Sequence, residues 1–138
     1  MKVEPPRGDE SRGFPPYAAD GESAFFHALN RGKRGVIAEG DDARRLAQAA
    51  DIVIENGRLA FGPGDVPDSV VWCSVSGHGI DRPSRAMDPS IQASMGLMEL
   101  TGEADGPPLR VPVPLLDFLT GVYAAQSVIV AQMITCYI

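Results

Sequence analysis

A chain of 138 residues, 44% of them hydrophobic, has the length and apolar content of one domain with a packed core, which excludes wholesale disorder. Its 12 basic and 18 acidic residues give a net charge of −6, which opposes general attraction to nucleic acid or to an anionic membrane. The two cysteines, Cys73 and Cys136, are far apart in apolar surroundings, and the N-terminus lacks an apolar signal region. We therefore expect a cytoplasmic protein without a disulfide.

The chain alternates strand and helix patterns, separated by loops rich in glycine and proline. In chain order the predicted elements are the end of a strand at residues 1–4, a loop at 5–21, a helix from a Ser23 cap to Leu29, a strand at 36–38, a helix at 43–50 behind an Asp41 cap, and strands at 51–55 and 70–75. This alternation predicts an α/β fold in three layers, with one parallel sheet that contains the last three strands.

Three basic residues, Arg31, Lys33 and Arg34, stand together before the strand at 36–38 and are a local exception to the acidic balance. A solvated turn and a contact to phosphate groups explain them about equally well. The sequence leaves both interpretations open.

Two loops follow predicted strands at the carboxyl edge of the sheet, where open α/β sheets bind ligands. The first spans residues 56–68, with three glycines and two prolines, and the second is Ser76-Gly77-His78-Gly79. Glycine lets backbone N–H groups approach an anion or an extended ligand, although a tight turn is the commoner reason for such a sequence. His78 by itself is more often a surface histidine than a catalytic base.

A further helix is predicted to begin at Asp88-Pro89, with Asp88 as its cap and the proline in its first turn. Ile91, Met95 and Met98 recur at helical spacing. This spacing favours a buried stripe over a cofactor site.

Asp117 is an isolated carboxylate between two apolar pairs, Leu115-Leu116 and Phe118-Leu119. Aspartate is a favoured N-cap and an apolar run follows it, so a cap is the simpler interpretation and a reactive carboxylate the alternative. Residues 118–138 carry no charge and are long enough to span a membrane, but polar side chains within this run, among them Gln126, Ser127, Gln132 and Thr135, favour a buried helix.

Read together, these segments resemble the CoA-transferase family III, also called the CaiB/BaiF family. That family has a Q-A-x-x-G-x-M-x-x-T-G-x-x-x-G-P-P segment followed by D-x-x-x-G. The matching residues are Gln92, Ala93, Gly96, Met98, Thr101, Gly102, Gly106, Pro107, Pro108, Asp117, Gly121, Ala124 and Ala125. Further matches, in the same order as in the family, are residues 2–6 (KVEPP), 21–36 (GESAFFHALNRGKRGV), 50–56 (ADIVIEN) and 74–79 (SVSGHG).

The resemblance implies a partial Rossmann-like large domain. Residues 1–138 would be a single, incomplete N-terminal domain that lacks the family's opening strand and helix and its second domain. Asp117 would be the catalytic nucleophile. By the same resemblance, the residues that contact CoA are Asn56, Arg58, Ser76, Gly77, His78 and Gly79. Family members commonly carry an aromatic residue where this chain has Gly57.

The resemblance also implies an acyl-CoA thioester and a carboxylic acid as substrates, with no further cofactor, no metal, and no nucleic-acid or membrane partner. Family members form interlocked homodimers, which an incomplete domain does not complete, so we expect little or no activity from this chain alone. Two alternatives stay open: a non-catalytic CoA-binding or structural remnant, and an acyl-CoA racemase of the same superfamily. The racemases have a histidine-aspartate pair where this chain has Met87-Asp88, which favours the transferase.

Overall fold

The computed structural model describes residues 1–57, 59–79 and 86–136. Within it the chain forms two compact units, Met1–Ala49 and Ala50–Ile138. Arg58, one of the residues expected to contact CoA, lies outside the described residues.

The first unit contains two strands and two helices. They are β1 (Lys2–Glu4), α1 (Ala24–Asn30), β2 (Gly35–Ile37) and α2 (Gly40–Gln48), with a short 3-10 helix at Glu10–Gly13. β1 and β2 are parallel, with Val3 opposite Val36. The apolar core of this unit is small and is formed around Phe26, Ala43 and Ala47.

The second unit contains two strands and two helices as well. They are β3 (Ile52–Glu55), β4 (Val71–Ser74), α3 (Asp88–Ser94) and α4 (Leu115–Cys136), with 3-10 helices at Pro63–Asp65 and Leu97–Leu100. β3 and β4 are parallel, with Val53 opposite Trp72, and α4 packs on α3 and on both strands. Because neighbouring parallel strands end at one edge, the loops that begin at Asn56 and Ser76 leave the sheet on the same side, as predicted.

The mixed α/β class with short parallel strands is confirmed, and it is consistent with a partial Rossmann-like domain. The expectation that one sheet contains β2, β3 and β4 is wrong for the described residues, which form two separate two-stranded sheets. The strand patterns were sound, but they do not state which neighbour a strand pairs with. β2 is hydrogen-bonded to β1, and β3 to β4.

Of the caps predicted for α1 and α2, the first is confirmed and the second is wrong. The Ser23 hydroxyl accepts a hydrogen bond from the Phe26 N–H at 3.1 Å, so the cap of α1 is confirmed. Asp41 is not the cap of α2, because that helix begins at Gly40 and Glu39 holds the cap position. Asp41 lies in the first turn instead, where its charge is favourable beside the helix N-terminus.

The expected methionine stripe of α3 is not a core feature. Met95 follows the last residue of the helix and is 76% exposed, while Met98 lies in the next 3-10 helix. Gly96 adopts the left-handed conformation, with φ 73°, and this turn stops the helical spacing on which the expectation depended.

The helix α4 is buried along one narrow stripe and exposed elsewhere. Ala124 and Val128, four residues apart, are 8% and 6% exposed and form the contact with the rest of the unit. The large apolar residues exposed on its other faces are Phe118, Leu119, Val122, Tyr123, Ile129, Val130, Met133 and Ile134. By length and composition, Leu115–Thr135 could also cross a membrane, a test that core helices of water-soluble proteins pass too.

We expect the isolated chain to self-associate as its concentration rises, because exposed apolar patches of this extent drive association. Ile129→Lys places a charge within the exposed face of α4 and should lower the associated fraction, measured by sedimentation velocity. Leu100→Lys, at a residue 83% exposed outside α4, is the matched control. An equal effect of both variants would contradict the assignment of association to α4.

Candidate functional site

Asp117 is the third residue of α4 and is not its cap. The Phe118 N–H donates to the Pro114 carbonyl at 3.1 Å, so the helix begins at Leu115 and Pro114 holds the cap position. The interpretation of Asp117 as an N-cap is therefore wrong. No other described residue donates a hydrogen bond to its carboxylate, which lies at the surface of the unit.

The surroundings of Asp117 disfavour its negative charge. Although the residue is at the surface, neighbouring protein removes part of the water around its carboxylate, and this desolvation raises its pKa. Repulsion from the Asp88 carboxylate raises the pKa of Asp117 further. A carboxylate with a raised pKa is more basic, and once ionised it is a better nucleophile.

The capping group of α4 is Asp88, which belongs to α3. Its Oδ2 atom accepts hydrogen bonds from the Leu116 N–H at 2.6 Å and the Asp117 N–H at 3.1 Å. Asp88 is the first residue of α3 and not its cap, so the prediction for its own helix is wrong. There Ser90 takes the capping role, since its hydroxyl accepts from the Met87 N–H at 2.8 Å.

Gln92, one turn after Asp88, completes a buried polar chain. Its side-chain N–H donates to Asp88 Oδ1, and its Oε1 atom accepts from the Val111 N–H at 2.9 Å. Gln92 is 1% exposed and Asp88 is 6% exposed. These two side chains therefore tie α3 to both the segment before α4 and the first turn of α4.

The segment that leads from α3 to α4 is folded back on itself. The Leu109 N–H donates to the Met98 carbonyl at 3.0 Å, and the Thr101 hydroxyl bonds the Leu109 carbonyl. Gly102 has φ 108°, a conformation that favours glycine. This turn returns the chain to Val111, beside Gln92, so the segment between the two helices determines where α4 begins.

The Ser76–Gly79 loop packs against the start of α3. A methyl group on Gly77 would overlap the Ala86 side chain and lie 3.4 Å from Ile91 Cδ1, so this close approach requires glycine. Gly79 has φ 89°, which favours glycine for its backbone conformation. Packing and turn geometry thus explain both glycines, while all four residues of the loop remain exposed.

The loop after β3 begins with a sharp turn. The Gly57 N–H donates to the carboxylate of Glu55, and Gly57 has φ 74°. Asn56 is exposed at this turn and follows β3, while Ser76 follows the paired strand β4 at the same edge of the sheet. The second unit therefore holds Asn56, the Ser76–Gly79 loop and, through α3, the first turn of α4.

The first unit has a polar cluster of its own around Glu4, a buried residue of β1 that is 5% exposed. The Arg12 guanidinium binds both Glu4 carboxylate oxygens at 2.9 Å and lies 4.0 Å over the Phe26 ring. Asp9 donates its N–H to Glu4 at 3.0 Å, and the Lys2 ammonium lies 2.5 Å from the Asp9 carboxylate. These bonds fix the loop after β1 to the strand.

The ion pairs of this cluster shift the pKa values of both carboxyl groups. Hydrogen bonds from Arg12 hold the pKa of Glu4 below its ordinary value. For Asp9, burial acts in the opposite direction, but hydrogen bonds from Lys2 and Ser11 outweigh it and lower the pKa to about 2. Because this folded-state pKa is depressed, Asp9 stabilises the fold above its unfolded value of about 4, and this contribution is lost as pH falls towards 2.

We expect Lys2→Met to raise the pKa of Asp9 towards its ordinary value, because the variant removes the side-chain hydrogen bond and the positive charge. A carboxyl-carbon NMR titration from about pH 1.5 to about pH 6 measures the shift, because this range includes both the depressed and the ordinary pKa of Asp9. Lys33→Met is the matched control, since the Lys33 side chain is exposed and its ammonium group donates to the Asn30 side chain at 3.3 Å, not to a carboxylate. An unchanged Asp9 titration in Lys2→Met would contradict this assignment.

The basic residues Arg31, Lys33 and Arg34 are all exposed in the turn before β2. A solvated turn and a phosphate contact both remain compatible with that position. Among the described residues, no group of three or more histidine, cysteine, aspartate or glutamate side chains could hold a metal ion.

Comparison with known proteins gives one consistent result. The model of CoA-transferase family III matches residues 1–135. The chain is 35% identical to the succinate–glutarate CoA-transferase of Agrobacterium fabrum, over 93% of this chain and 38% of that protein. It is also 35% identical to the acetyl-CoA:oxalate CoA-transferase of Acetobacter aceti, over 88% of this chain and 36% of that protein.

A solved structure shares this fold. The crystal structure of a CaiB/BaiF family protein from Brucella suis matches 98% of this chain, with a TM-score of 0.83 and 32% sequence identity. The match covers 42% of the Brucella suis chain. This chain thus spans about two fifths of the length of the proteins that it resembles.

Proposed function

The chain belongs to CoA-transferase family III, and we propose that it is the part of such an enzyme in which the Asp117 carboxylate is the nucleophile. The observation that carries this proposal is that Asp88, and not Asp117, caps α4. Asp88 occupies the first-turn N–H groups of α4, which leaves the Asp117 carboxylate without a capping role. Its raised pKa suits a nucleophile, since basicity and nucleophilicity rise together.

The proposed reaction exchanges CoA between two carboxylic acids. An Asp117 oxygen attacks the thioester carbonyl, the C–S bond breaks, and a mixed anhydride and CoA thiolate are formed. The thiolate attacks the aspartyl carbonyl, which releases the first acid as its carboxylate and leaves an aspartyl-CoA thioester. The acceptor carboxylate then attacks this thioester, and the released thiolate takes the acceptor acyl group, so that Asp117 is regenerated.

The neighbours of Asp117 support chemistry that must avoid water. Leu115 and Leu116 precede it and Phe118 and Leu119 follow it in the sequence, so apolar residues flank the exposed carboxylate and can form part of a water-excluding site in the whole enzyme. An apolar surround protects an anhydride from hydrolysis. Met87 precedes Asp88 and has no group that could transfer a proton, which favours acyl transfer over the two-base chemistry of a racemase.

The same proposal extends to the substrates, the CoA contacts, the location and the assembly of the enzyme. Acyl-CoA and a carboxylic acid are the substrates, with no further cofactor, and CoA contacts come from Asn56, Arg58 and the Ser76–Gly79 loop. The protein acts in the cytoplasm as an interlocked homodimer without a membrane or nucleic-acid partner. The shared sheet edge of Asn56 and Ser76 supports a common ligand at these two loops.

Trapping with hydroxylamine tests the nucleophile. The full-length gene product that contains this chain is incubated with succinyl-CoA and hydroxylamine, digested, and analysed by mass spectrometry. A hydroxamate at Asp117 is the expected product, since hydroxylamine cleaves the anhydride and the aspartyl thioester. Succinyl-CoA consumption with hydroxamate at another residue would overturn the assignment.

A further inference from the structure

Asp88 and Gln92 form a buried chain of hydrogen bonds beneath the first turn of α4. Each group that is hydrogen-bonded to Asp88 in this network is a donor: the Gln92 amide at Oδ1, and the Leu116 and Asp117 N–H groups at Oδ2. Buried polar groups are costly unless they are paired, so a side chain at this position has to accept at both oxygens. Within the common side chains of this length, only the aspartate carboxylate does so.

The direction of every bond in the chain is fixed. The Val111 N–H can only donate, so Gln92 must turn its oxygen towards Val111 and its amide nitrogen towards Asp88. The reverse amide orientation would place donor against donor at Val111 and acceptor against acceptor at Asp88. The network therefore specifies a negative charge at Asp88 and a fixed position for the start of α4.

The N-terminus of a helix normally stabilises a nearby negative charge through its free N–H groups. Here Asp88 already binds two of them, including the N–H of Asp117 itself. Resting on the proposed role of Asp117 as nucleophile, we propose that Asp88 is its positioning residue. Asp88 orients Asp117 through the first turn of α4 and keeps those N–H groups from neutralising the charge of Asp117.

In the part of the chain that the structure describes, few other charges lie on the elements packed against α4. The elements packed against α4 are α3, β3 and β4. Asp88 is the only charged residue of α3, Glu55 is the only one of β3 and bonds the Gly57 N–H, and β4 carries none, its titratable residue being Cys73. Among the described residues, Asp88 is the charge that acts on Asp117, in keeping with the repulsion between them.

Asp88→Asn in the full-length gene product is the first test. The introduced side-chain N–H₂ would face the Gln92 N–H₂, so the chain of bonds loses its complementarity. We expect kcat for succinyl-CoA to acid exchange to fall by roughly 10²-fold with KM nearly unchanged, because the displaced carboxylate acts in the chemical step. Hydrogen exchange at the Leu116 and Asp117 N–H groups should become faster.

The double variant Asp88→Asn/Gln92→Glu keeps the proposal testable if the single variant does not fold. The carboxylate introduced at position 92 would accept from both the Val111 N–H and the amide N–H₂ introduced at position 88, while the oxygen of that amide would accept from the two N–H groups of α4. We expect slow exchange at these N–H groups to return. The acid limb of the kcat profile should move to lower pH, because the buried charge now lies one helical turn farther from Asp117.

Asp42→Asn is the matched control, since Asp42 is an exposed first-turn aspartate of α2. Any of three results would overturn the positioning role. They are a kcat in Asp88→Asn no lower than in this control, no return of slow hydrogen exchange in the double variant, or an acid limb of the double variant's kcat profile that stays at its native pH. Failure of the nucleophile itself is distinguishable. In that case Asp117→Asn retains exchange activity, while hydrogen exchange still reports whether Asp88 holds α4.

Discussion

Asp117→Asn is expected to reduce exchange between an acyl-CoA and a free acid by roughly 10³-fold or more, because it removes the proposed nucleophile. The first turn of α4 carries no second carboxylate that could form the anhydride. The measurement is transfer of labelled succinate into succinyl-CoA by the full-length gene product. The same variant should yield no hydroxamate in the trapping experiment.

The stability of this variant separates chemistry from folding. Asp117 accepts no capping hydrogen bond in the described structure, so an amide at this position removes no structural contact. The raised pKa means that ionised Asp117 costs stability as pH rises through that pKa, and Asn relieves the repulsion with Asp88. We therefore expect an unchanged or slightly raised Tm at neutral pH.

Asp42→Asn, the same substitution in the first turn of α2, is the matched control and should leave exchange at the native rate. An Asp117→Asn variant with near-native exchange would rule out the nucleophile. A variant that loses both exchange and several degrees of Tm would instead assign Asp117 a structural role that its contacts do not show.

The sequence predicted features that depend on neighbouring residues. The cap of α1 is one example, since Ser23 and its donor Phe26 are three residues apart. The strands β3 and β4 are another, because a short apolar run between loop residues defines each of them. Both fold class and the common edge of the loops at Asn56 and Ser76 follow from that local information.

The roles of Asp88 and Gln92 were missed because their partners are distant in sequence. Asp88 binds an N–H group 28 residues later and Gln92 one 19 residues later. A local rule assigned Asp88 to its own helix as a cap, and assigned the cap of α4 to Asp117. The signal that was present is the i, i+4 spacing of Asp88 and Gln92, two polar residues beside the apolar Ile91.

The cluster around Glu4 was equally invisible in the sequence. The KVEPP segment indicates only a family resemblance, and no local rule connects Glu4 to a guanidinium eight residues away. The buried Glu4 carboxylate in β1 is therefore stabilised by a residue of the following loop, Arg12. The loop after β1, predicted only as a surface segment, is thereby part of the fold of the first unit.

We expect Arg12→Met to lower the free energy of unfolding of the first unit by more than the control variant below, because it leaves the buried Glu4 carboxylate without its charged partner. Methionine retains an apolar chain over the Phe26 ring, so the loss reports mainly on charge. The measurement is urea-dependent hydrogen exchange at the Ala38 N–H, which donates to the Glu4 carbonyl at 3.1 Å.

Arg7→Met is the matched control for this loop. Arg7 pairs with Glu10 at 3.6 Å, but both side chains are more than half exposed, at 72% and 65%, and such pairs contribute about 0–1 kcal/mol. The difference between the two variants should also depend on pH. Because Arg12 depresses the folded-state pKa of Glu4, its contribution is present above the unfolded value of about 4.3 and is lost as pH falls through the folded value.

The double variant Glu4→Gln/Arg12→Met shows why Arg12→Met loses unfolding free energy. If the uncompensated charge of Glu4 is responsible, the neutral pair should be more stable than Arg12→Met alone at neutral pH, since no buried charge remains. If the loss came from packing of Arg12 on Phe26, the double variant would be no more stable than the single one. Equal stability of the two variants, together with a loss that does not shrink as falling pH protonates Glu4, would therefore contradict the ion-pair account.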